Sequence, residues 1–291
     1  MKKVGLAMLG LGTIGSGVFK VLKENGDIIR AREGMDIEIK KILVRDKNKK
    51  RNVDVDKSIL TDDPSEIIND EGIDIIAEFM GGENPAFTLI RDALRKGKSV
   101  VTANKEVIAK YWDELEEEAE KSGAGLYFEA SVAGGIPIIK PLRRSLQANN
   151  IVKIMGIING TTNYILTRMS EEGKSFEEAL SEAQRLGYAE PDPTADIEGY
   201  DARYKLSILS TLCFRNRVTI DKIHCEGITR ISPDDIRYAK ELGYGIKLLA
   251  IAKKHDGKIE ARVHPTFIPL SHPLTAVRDS YNAIFIQGDM V

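Results

Sequence analysis

Cysteine is scarce in these 291 residues: only Cys213 and Cys225 occur, in no CxxC spacing. A disulfide framework is excluded, and two reduced thiols fit a cytoplasmic protein. Long apolar runs are missing as well. No stretch reaches the roughly 18 residues that a membrane span needs. The N-terminus passes from Met1-Lys2-Lys3 straight into a strand-like run, without a secretory h-region or a small-residue cleavage site. Nor does one sign of charge dominate: the formal net charge is −2, with basic residues scattered among acidic ones. That pattern leaves no footprint for nucleic acid. The acidic run from Asp113 to Glu118 is threaded by Tyr111, Trp112, Leu115 and Ala119 at helical spacing, so it reads as a solvated helix face. What remains is a globular chain of two domains, each of roughly 100–200 residues.

The first half alternates strands and helices. Val4–Leu9 is a short apolar run ending in glycines, and Ser16–Arg32 follows with helical periodicity through Val18, Val21, Leu22 and Ile28. Strands are expected at Ile37–Val44, Ile73–Met80, Ser99–Thr102 and Leu126–Ala130. Helices are expected from Pro64, over Pro85–Lys96 and over Lys105–Ser122. Strands and helices in this order imply right-handed βαβ units around a parallel sheet. The expected fold class is α/β: a Rossmann-type domain over residues 1–135, followed by an α+β domain over 136–291 for substrate binding and dimerisation. In the second half, helices are expected at Pro137–Gln147, Thr161–Glu172, Ser175–Leu186 and Asp201–Phe214. Its strands are expected at Ile151–Ile158, Ile246–Lys254, Lys258–Pro265 and Ala283–Gln287, in a mixed or antiparallel sheet.

Gly10-Leu11-Gly12-Thr13-Ile14-Gly15 is a complete GxGxxG between a strand and a helix at the head of a βαβ series. A plain glycine turn is the alternative. In the dinucleotide reading, Gly10 permits the tight turn, Gly12 lets the backbone approach a pyrophosphate, and Gly15 lets helix and strand pack closely. The pyrophosphate then sits on free N–H groups at the positive end of the helix. At the end of the second strand an acid favours NAD and an arginine accommodates NADP. Here Arg45 comes first and Asp46 second, which leans toward NADP, with Lys47 and Lys57 as helpers or as parts of a solvated turn.

Three further segments carry chemistry. Thr102-Ala103-Asn104-Lys105 closes a parallel strand at the rim where open α/β sheets bind ligands, so Lys105 reaches the nicotinamide end. Asn159-Gly160-Thr161-Thr162-Asn163 leads from a strand into a helix; it presents N–H groups and hydroxyls to a carboxylate, or serves as a helix cap. Ala183–Lys205 is rich in carboxylates (Glu190, Asp192, Asp196, Asp201) and ends with Asp201 and Lys205 four apart on one helix face. Leu206, Ile208 and Leu209 follow at once, which argues for a buried pair over a surface salt bridge. Burial favours a neutral amine and neighbouring anions favour an ammonium, a combination suited to moving a hydroxyl proton while a hydride leaves the carbinol carbon.

Together these segments resemble the homoserine dehydrogenases. The run Ala183–Lys205 fits the family signature at every defined position: Gly187-Tyr188-Ala189, Asp192-Pro193, Asp196-Ile197, Gly199, Asp201 and Lys205. The glycine turn, Thr102–Lys105, Glu129–Pro137 and Asn159–Asn163 extend the match along the chain. The resemblance implies NAD(P)-dependent interconversion of L-homoserine and L-aspartate 4-semialdehyde, on the way to threonine and methionine. It implies Lys205 as proton donor and acceptor, Lys105 near nicotinamide and substrate, and Glu190, Asp196 and Asp201 as orienting groups. Tyr188, Gly160 and Thr161 then line the substrate pocket. A sodium ion held by Glu129 and the backbone oxygens of Val132, Gly134 and Ile136 is implied too, as is a homodimer. Family members also continue with a glycine-rich segment that returns to the nucleotide domain, so a chain ending at Val291 is expected to be weakly active or unstable unless complemented. Two other readings compete. An aspartate-semialdehyde dehydrogenase needs a cysteine nucleophile facing the cofactor. A catalytically silent nucleotide-binding subunit has no reason to keep both lysines in context.

Overall fold

The computed structural model describes all residues, Met1–Val291, and the chain divides into two units, Met1–Ser131 and Val132–Val291. The sequence pattern puts the boundary a few residues later, after residue 135.

The first unit runs β1 (Lys2–Leu9), α1 (Thr13–Glu24), α2 (Gly26–Glu33), β2 (Met35–Leu43), β3 (Leu60–Thr61), α3 (Ser65–Ile68), β4 (Ile75–Glu78), α4 (Ala86–Arg95), β5 (Ser99–Thr102), α5 (Lys105–Ser122) and β6 (Leu126–Tyr127). All six strands are parallel, in the order β3-β2-β1-β4-β5-β6. That is the doubly wound dinucleotide-binding order, with its switch point between β1 and β4. The central strands are buried on both faces, which is why Val4–Leu9 of β1 and residues 75–77 of β4 read as apolar runs. Leu6, Met8, Ile42 and Ala77 pack with Phe19 of α1 into one core. The single helix expected over Ser16–Arg32 is two, because Asn25 leaves helical geometry and Gly26 restarts it.

The second unit runs β7 (Ile151–Ile157), α6 (Gly160–Glu172), α7 (Phe176–Arg185), α8 (Thr194–Ile197), α9 (Tyr200–Phe214), β8 (His224–Cys225), α10 (Pro233–Glu241), β9 (Tyr244–His255), β10 (Lys258–Pro269) and β11 (Ala283–Gly288). Its sheet is mixed, ordered β11-β7-β9-β10-β8, with only the β10–β8 pair parallel. Helix α9 packs across β7, β9 and β10, which buries Leu206, Ile208 and Leu209 as its sequence required. The helix expected over Pro137–Gln147 is instead a single widened turn, Pro141–Ser145. Pro141 lacks the N–H and its ring clashes with the preceding turn, so no regular helix passes through it. Helix α10 was not foreseen, although Ser232 caps it and Asp235 closes a capping box around Pro233.

Lys247 on β9 is only 6% exposed. It donates to Asn163 Oδ1 at 2.8 Å and to the Val277 carbonyl at 2.6 Å. Burial pushes its pKa down to about 8. Below that value both folded and unfolded chains hold the proton, and the full penalty of a buried ammonium is present. Between there and about 10.4 the unfolded chain binds more protons, so stability rises with pH. We expect the native chain to gain up to about 3 kcal/mol on Lys247→Met between pH 7 and pH 10.5. Urea unfolding of both proteins at the two pH values measures it, and a constant difference would refute it.

Candidate functional site

The cofactor cradle lies in the first unit. Gly10, just past β1, has φ +101°, a conformation that L side chains resist. A Cβ on Gly15 would stand 2.3 Å from the Gly10 carbonyl oxygen, so this helix–turn contact closes only on glycine. A Cβ on Gly12 meets nothing within 4 Å. Gly12 precedes α1, where no side chain caps the helix and no acid occupies the first turn. The unsatisfied N–H groups and the positive helix end are therefore left to an anion. A cleft of about 860 Å³ opens here, lined by Gly10, Gly12, Thr13, Arg45, Met80 and Gly81 among others. These features fit a dinucleotide pyrophosphate. Ile14 is exposed and, like Gly15, is not among the lining residues.

At the ribose end, Arg45 is exposed and lines the cleft. Asp46 also lines it, but its Oδ1 accepts the Asn48 N–H at 2.7 Å. The expected helpers are corrected. Lys47 pairs with Asp62 at 2.7 Å, and Lys57 starts a short 3₁₀ turn away from the cleft lining. The cleft takes its extra positive charge from Lys49, Lys50 and Arg51 instead. Arg51 reaches back to the carbonyls of Lys49 at 2.8 Å and Asp46 at 2.5 Å, folding the basic run onto the rim. Its signal was the unbroken run Lys49-Lys50-Arg51.

Lys105 is the first residue of α5. Asn104 caps that helix, accepting the Val107 N–H at 3.1 Å, and its amide donates to the Gly82 carbonyl at 2.7 Å. The side-chain setting of Lys105 thus rests on a cap that is itself tied to the neighbouring loop.

The second unit holds a dense polar cluster. Lys205 Nζ donates to Asp201 Oδ2 at 2.6 Å and to the Ile158 carbonyl at 2.9 Å. The two side chains are 16% and 6% exposed, so this i,i+4 pair is no surface salt bridge. Asn159 Nδ2 donates to Asp201 Oδ2 at 2.9 Å and to Asp196 Oδ1 at 2.6 Å, while Asn159 Oδ1 caps α6 through the Thr162 N–H at 2.9 Å. The Thr161 hydroxyl lies 2.9 Å from Asp196 Oδ2 and 2.8 Å from the Tyr188 carbonyl. Tyr188, 45% exposed, rests its ring 4.7 Å from that of buried Tyr164. Gly160 begins α6 where a Cβ would come within 2.8 Å of the Ser280 carbonyl.

Lys205, Asp201, Asp196, Thr161, Gly160 and Tyr188 thus form one neighbourhood. Glu190 stands apart: its side chain is exposed, and only its carbonyl is engaged, by Gln184 at 3.2 Å. Sequence reasoning read Asn159 as a cap or anion-facing turn and missed its bridge between two carboxylates. Nothing local in the sequence tells which groups its amide will meet.

The residues named for sodium fall on either side of the division between the units. Glu129 opens a 3₁₀ turn, Glu129–Ser131. Val132, Gly134 and Ile136 belong to a turn in which Ala133 and Gly134 both have positive φ and the Ala133 carbonyl accepts the Ile136 N–H at 3.1 Å. No group of three or more His, Cys, Asp or Glu side chains is placed to hold a metal. No helix is long and apolar enough to cross a membrane. Burial pushes the Cys213 thiol up to about 12 and raises Cys225 as well, whose Sγ donates to the Glu198 carbonyl. Neither is an activated nucleophile, which removes the support for aspartate-semialdehyde dehydrogenase chemistry.

An anion cradle in a sheet of this order, with a buried ammonium–carboxylate pair in the second unit, places the molecule among the NAD(P)-dependent oxidoreductases. Residues 10–129 match the family profile described as "Homoserine dehydrogenase, NAD binding domain", and residues 137–291 match "Homoserine dehydrogenase". The homoserine dehydrogenase of Bacillus subtilis is 46% identical over 100% of this chain and 67% of its own length. The crystal structure of the Thiobacillus denitrificans homoserine dehydrogenase superposes with a TM-score of 0.93 at 45% identity, covering 100% of this chain and 67% of that one. A hyperthermophilic archaeal homoserine dehydrogenase, solved in complex with NADPH, is 30% identical with a TM-score of 0.81, covering 99% of this chain and 88% of its own. The chain belongs to the homoserine dehydrogenase family. It spans about two thirds of the length of the curated relatives it matches.

Proposed function

We propose that this chain interconverts L-aspartate 4-semialdehyde and L-homoserine, with Lys205 as the general acid and base. The observation that carries the reading is the Lys205 ammonium, held 2.6 Å from Asp201 and 2.9 Å from the Ile158 carbonyl in a largely buried pair. When bound, the dinucleotide supplies or accepts the hydride. In the reducing direction Lys205 gives a proton to the aldehyde oxygen as it becomes a hydroxyl; in the oxidising direction it takes that proton back. Asp201 fixes the ammonium in place. Asp196, with Thr161 and Asn159 on its two oxygens, serves the substrate's amino end beside Tyr188 and Gly160, while Glu190, exposed and apart from the cluster here, would have to swing in to reach the substrate. Lys105 acts at the nicotinamide end. A silent nucleotide-binding subunit is the weaker reading, because the Lys205 pair and the Lys105 cap are both built. The assay follows NADPH absorbance with aspartate 4-semialdehyde added; absence of oxidation by a folded chain that binds NADPH would defeat the proposal.

The preferred cofactor in this reading is NADP, supported by Arg45, Lys49, Lys50 and Arg51 on the cleft and by Asp46 being occupied in its own turn. Replacing Arg45 and Lys50 together by alanine should weaken NADPH binding by about tenfold or more, through loss of charge-assisted bonds to the 2′-phosphate, and leave NADH unchanged. Fluorescence titration with both cofactors decides, and an equal loss for both would be the wrong outcome. The same reading makes the protein a cytoplasmic enzyme of threonine and methionine biosynthesis that keeps Cys213 and Cys225 reduced. It also makes it a homodimer through the second unit, where Phe267, Tyr281 and Phe285 are exposed. Sodium on oxygen ligands from Glu129, Val132, Gly134 and Ile136 belongs to it as well.

A further inference from the structure

We propose that Glu78 is a positioning residue for the nicotinamide half of the cofactor site, locking two loops at the carboxyl edge of the sheet into one wall. Glu78 ends β4 and is 0% exposed. Its Oε1 accepts the Met80 N–H at 2.7 Å, and its Oε2 accepts the Thr102 hydroxyl at 2.5 Å. Thr102 is its register partner on β5, and the Thr102 oxygen in turn accepts the Asn104 N–H at 2.9 Å. Asn104 closes the circuit by donating to the Gly82 carbonyl at 2.7 Å. Two of these four hydrogen bonds, Thr102 to Glu78 and Asn104 to Gly82, therefore tie the loop after β4 to the loop after β5, and the other two brace each loop from within.

Each loop delivers something to the site. Met80 and Gly81 line the cleft, and Asn104 caps the helix that Lys105 begins. In a sheet of this order the first three strands carry the adenosine half of the ligand and the next three the nicotinamide half. Glu78 ends the first strand of that second set; Met80 and Gly81 share their cleft with the basic rim, and it is the loop after β5, through Asn104 and Lys105, that carries the wall toward the nicotinamide end. A carboxylate in this place is a poor choice for stability alone. The neighbouring Ile76, Ala77 and Val100 are apolar and buried, and a buried ionic group costs desolvation that an apolar side chain does not. Its usefulness is geometric: a planar acceptor with two oxygens binds one donor from each loop at fixed spacing. This rests on the family's cofactor site and not on the proposed substrate.

The test uses the full chain with Glu78→Gln, Thr102→Val and Thr102→Ser. Two probes are titrated: NADPH, and 2′-phospho-ADP-ribose, the same molecule without its nicotinamide ring. Glutamine keeps one acceptor and turns the other into a donor, valine removes the hydroxyl at constant shape, and serine keeps it. The expected result is a loss of NADPH affinity of about tenfold in Glu78→Gln and Thr102→Val. The ringless ligand, which does not reach the loop after β5, should lose clearly less, and Thr102→Ser should match native. Parallel loss of both ligands, unfolding included, would assign Glu78 to stability and overturn the proposal, as would native NADPH affinity in both variants. A native chain that binds neither probe would strike the cofactor assignment itself, whatever the variants do.

Discussion

Lys205→Ala should lower the rate of aspartate 4-semialdehyde reduction by about 10²–10⁴-fold, the usual worth of a positioned proton donor, while NADPH still binds. The two readouts separate because the cofactor cradle is built entirely from the first unit and Lys205 from α9 of the second. Truncation leaves Asp201 without the ammonium that sits on its Oδ2, but Asn159 still donates to that same oxygen, so the carboxylate is not abandoned. Arginine is the informative companion. Lys205→Arg keeps the charge and the salt bridge, yet a guanidinium does not release its proton at any working pH. The arginine variant should therefore fold and bind cofactor while remaining as slow as alanine. Activity retained in Lys205→Arg would mean that charge, not proton transfer, is what this position supplies. Equal rates for native and alanine would take Lys205 out of the chemistry.

How far the sequence foretold this arrangement depends on whether the signal was local. The strand Ser99–Thr102 and the helix Lys105–Ser122 lie where expected, because periodicity and the Asn104 and Gly123 ends are carried by neighbouring residues. The i,i+4 spacing of Asp201 and Lys205 likewise fixed their contact in advance. Pro137–Gln147 misled because its apolar pattern outweighed one proline in its interior. The choice of cleft cations misled for a different reason. Lys47, Lys49, Lys50 and Lys57 are alike in sequence, and only the packing of β3 beside β2 gives Lys47 to Asp62 and turns its neighbours to the cleft. Asn159 and Glu78 were unreadable as bridges, since their partners lie 24 to 42 residues away.

Asn159→Asp isolates the bridge from the cap. Aspartate is as good an N-cap as asparagine, so the Thr162 bond at the head of α6 survives. What changes is the other face. The amide that donates to Asp196 at 2.6 Å and Asp201 at 2.9 Å becomes a third carboxylate among them. Lys205 is already paired with Asp201, so the added carboxylate brings a buried charge without a counter-charge of its own, costing about 3–5 kcal/mol at neutral pH. The sign of its pH dependence follows from repulsion. The introduced aspartate, set against two carboxylates, keeps its proton above about pH 3.9, where an unfolded aspartate loses its own. The penalty is accordingly small in acid and grows as pH rises through the range in which the introduced carboxyl gives up its proton. Urea midpoints at pH 5 and pH 8 should show the variant trailing native by clearly more at the higher pH. Asn159→Ser, which keeps a cap and adds no charge, should trail by about 1–3 kcal/mol equally at both. A gap for Asn159→Asp that ignores pH would mean its carboxylate has turned away from Asp196 and Asp201, and that the amide bridge does not set where they stand.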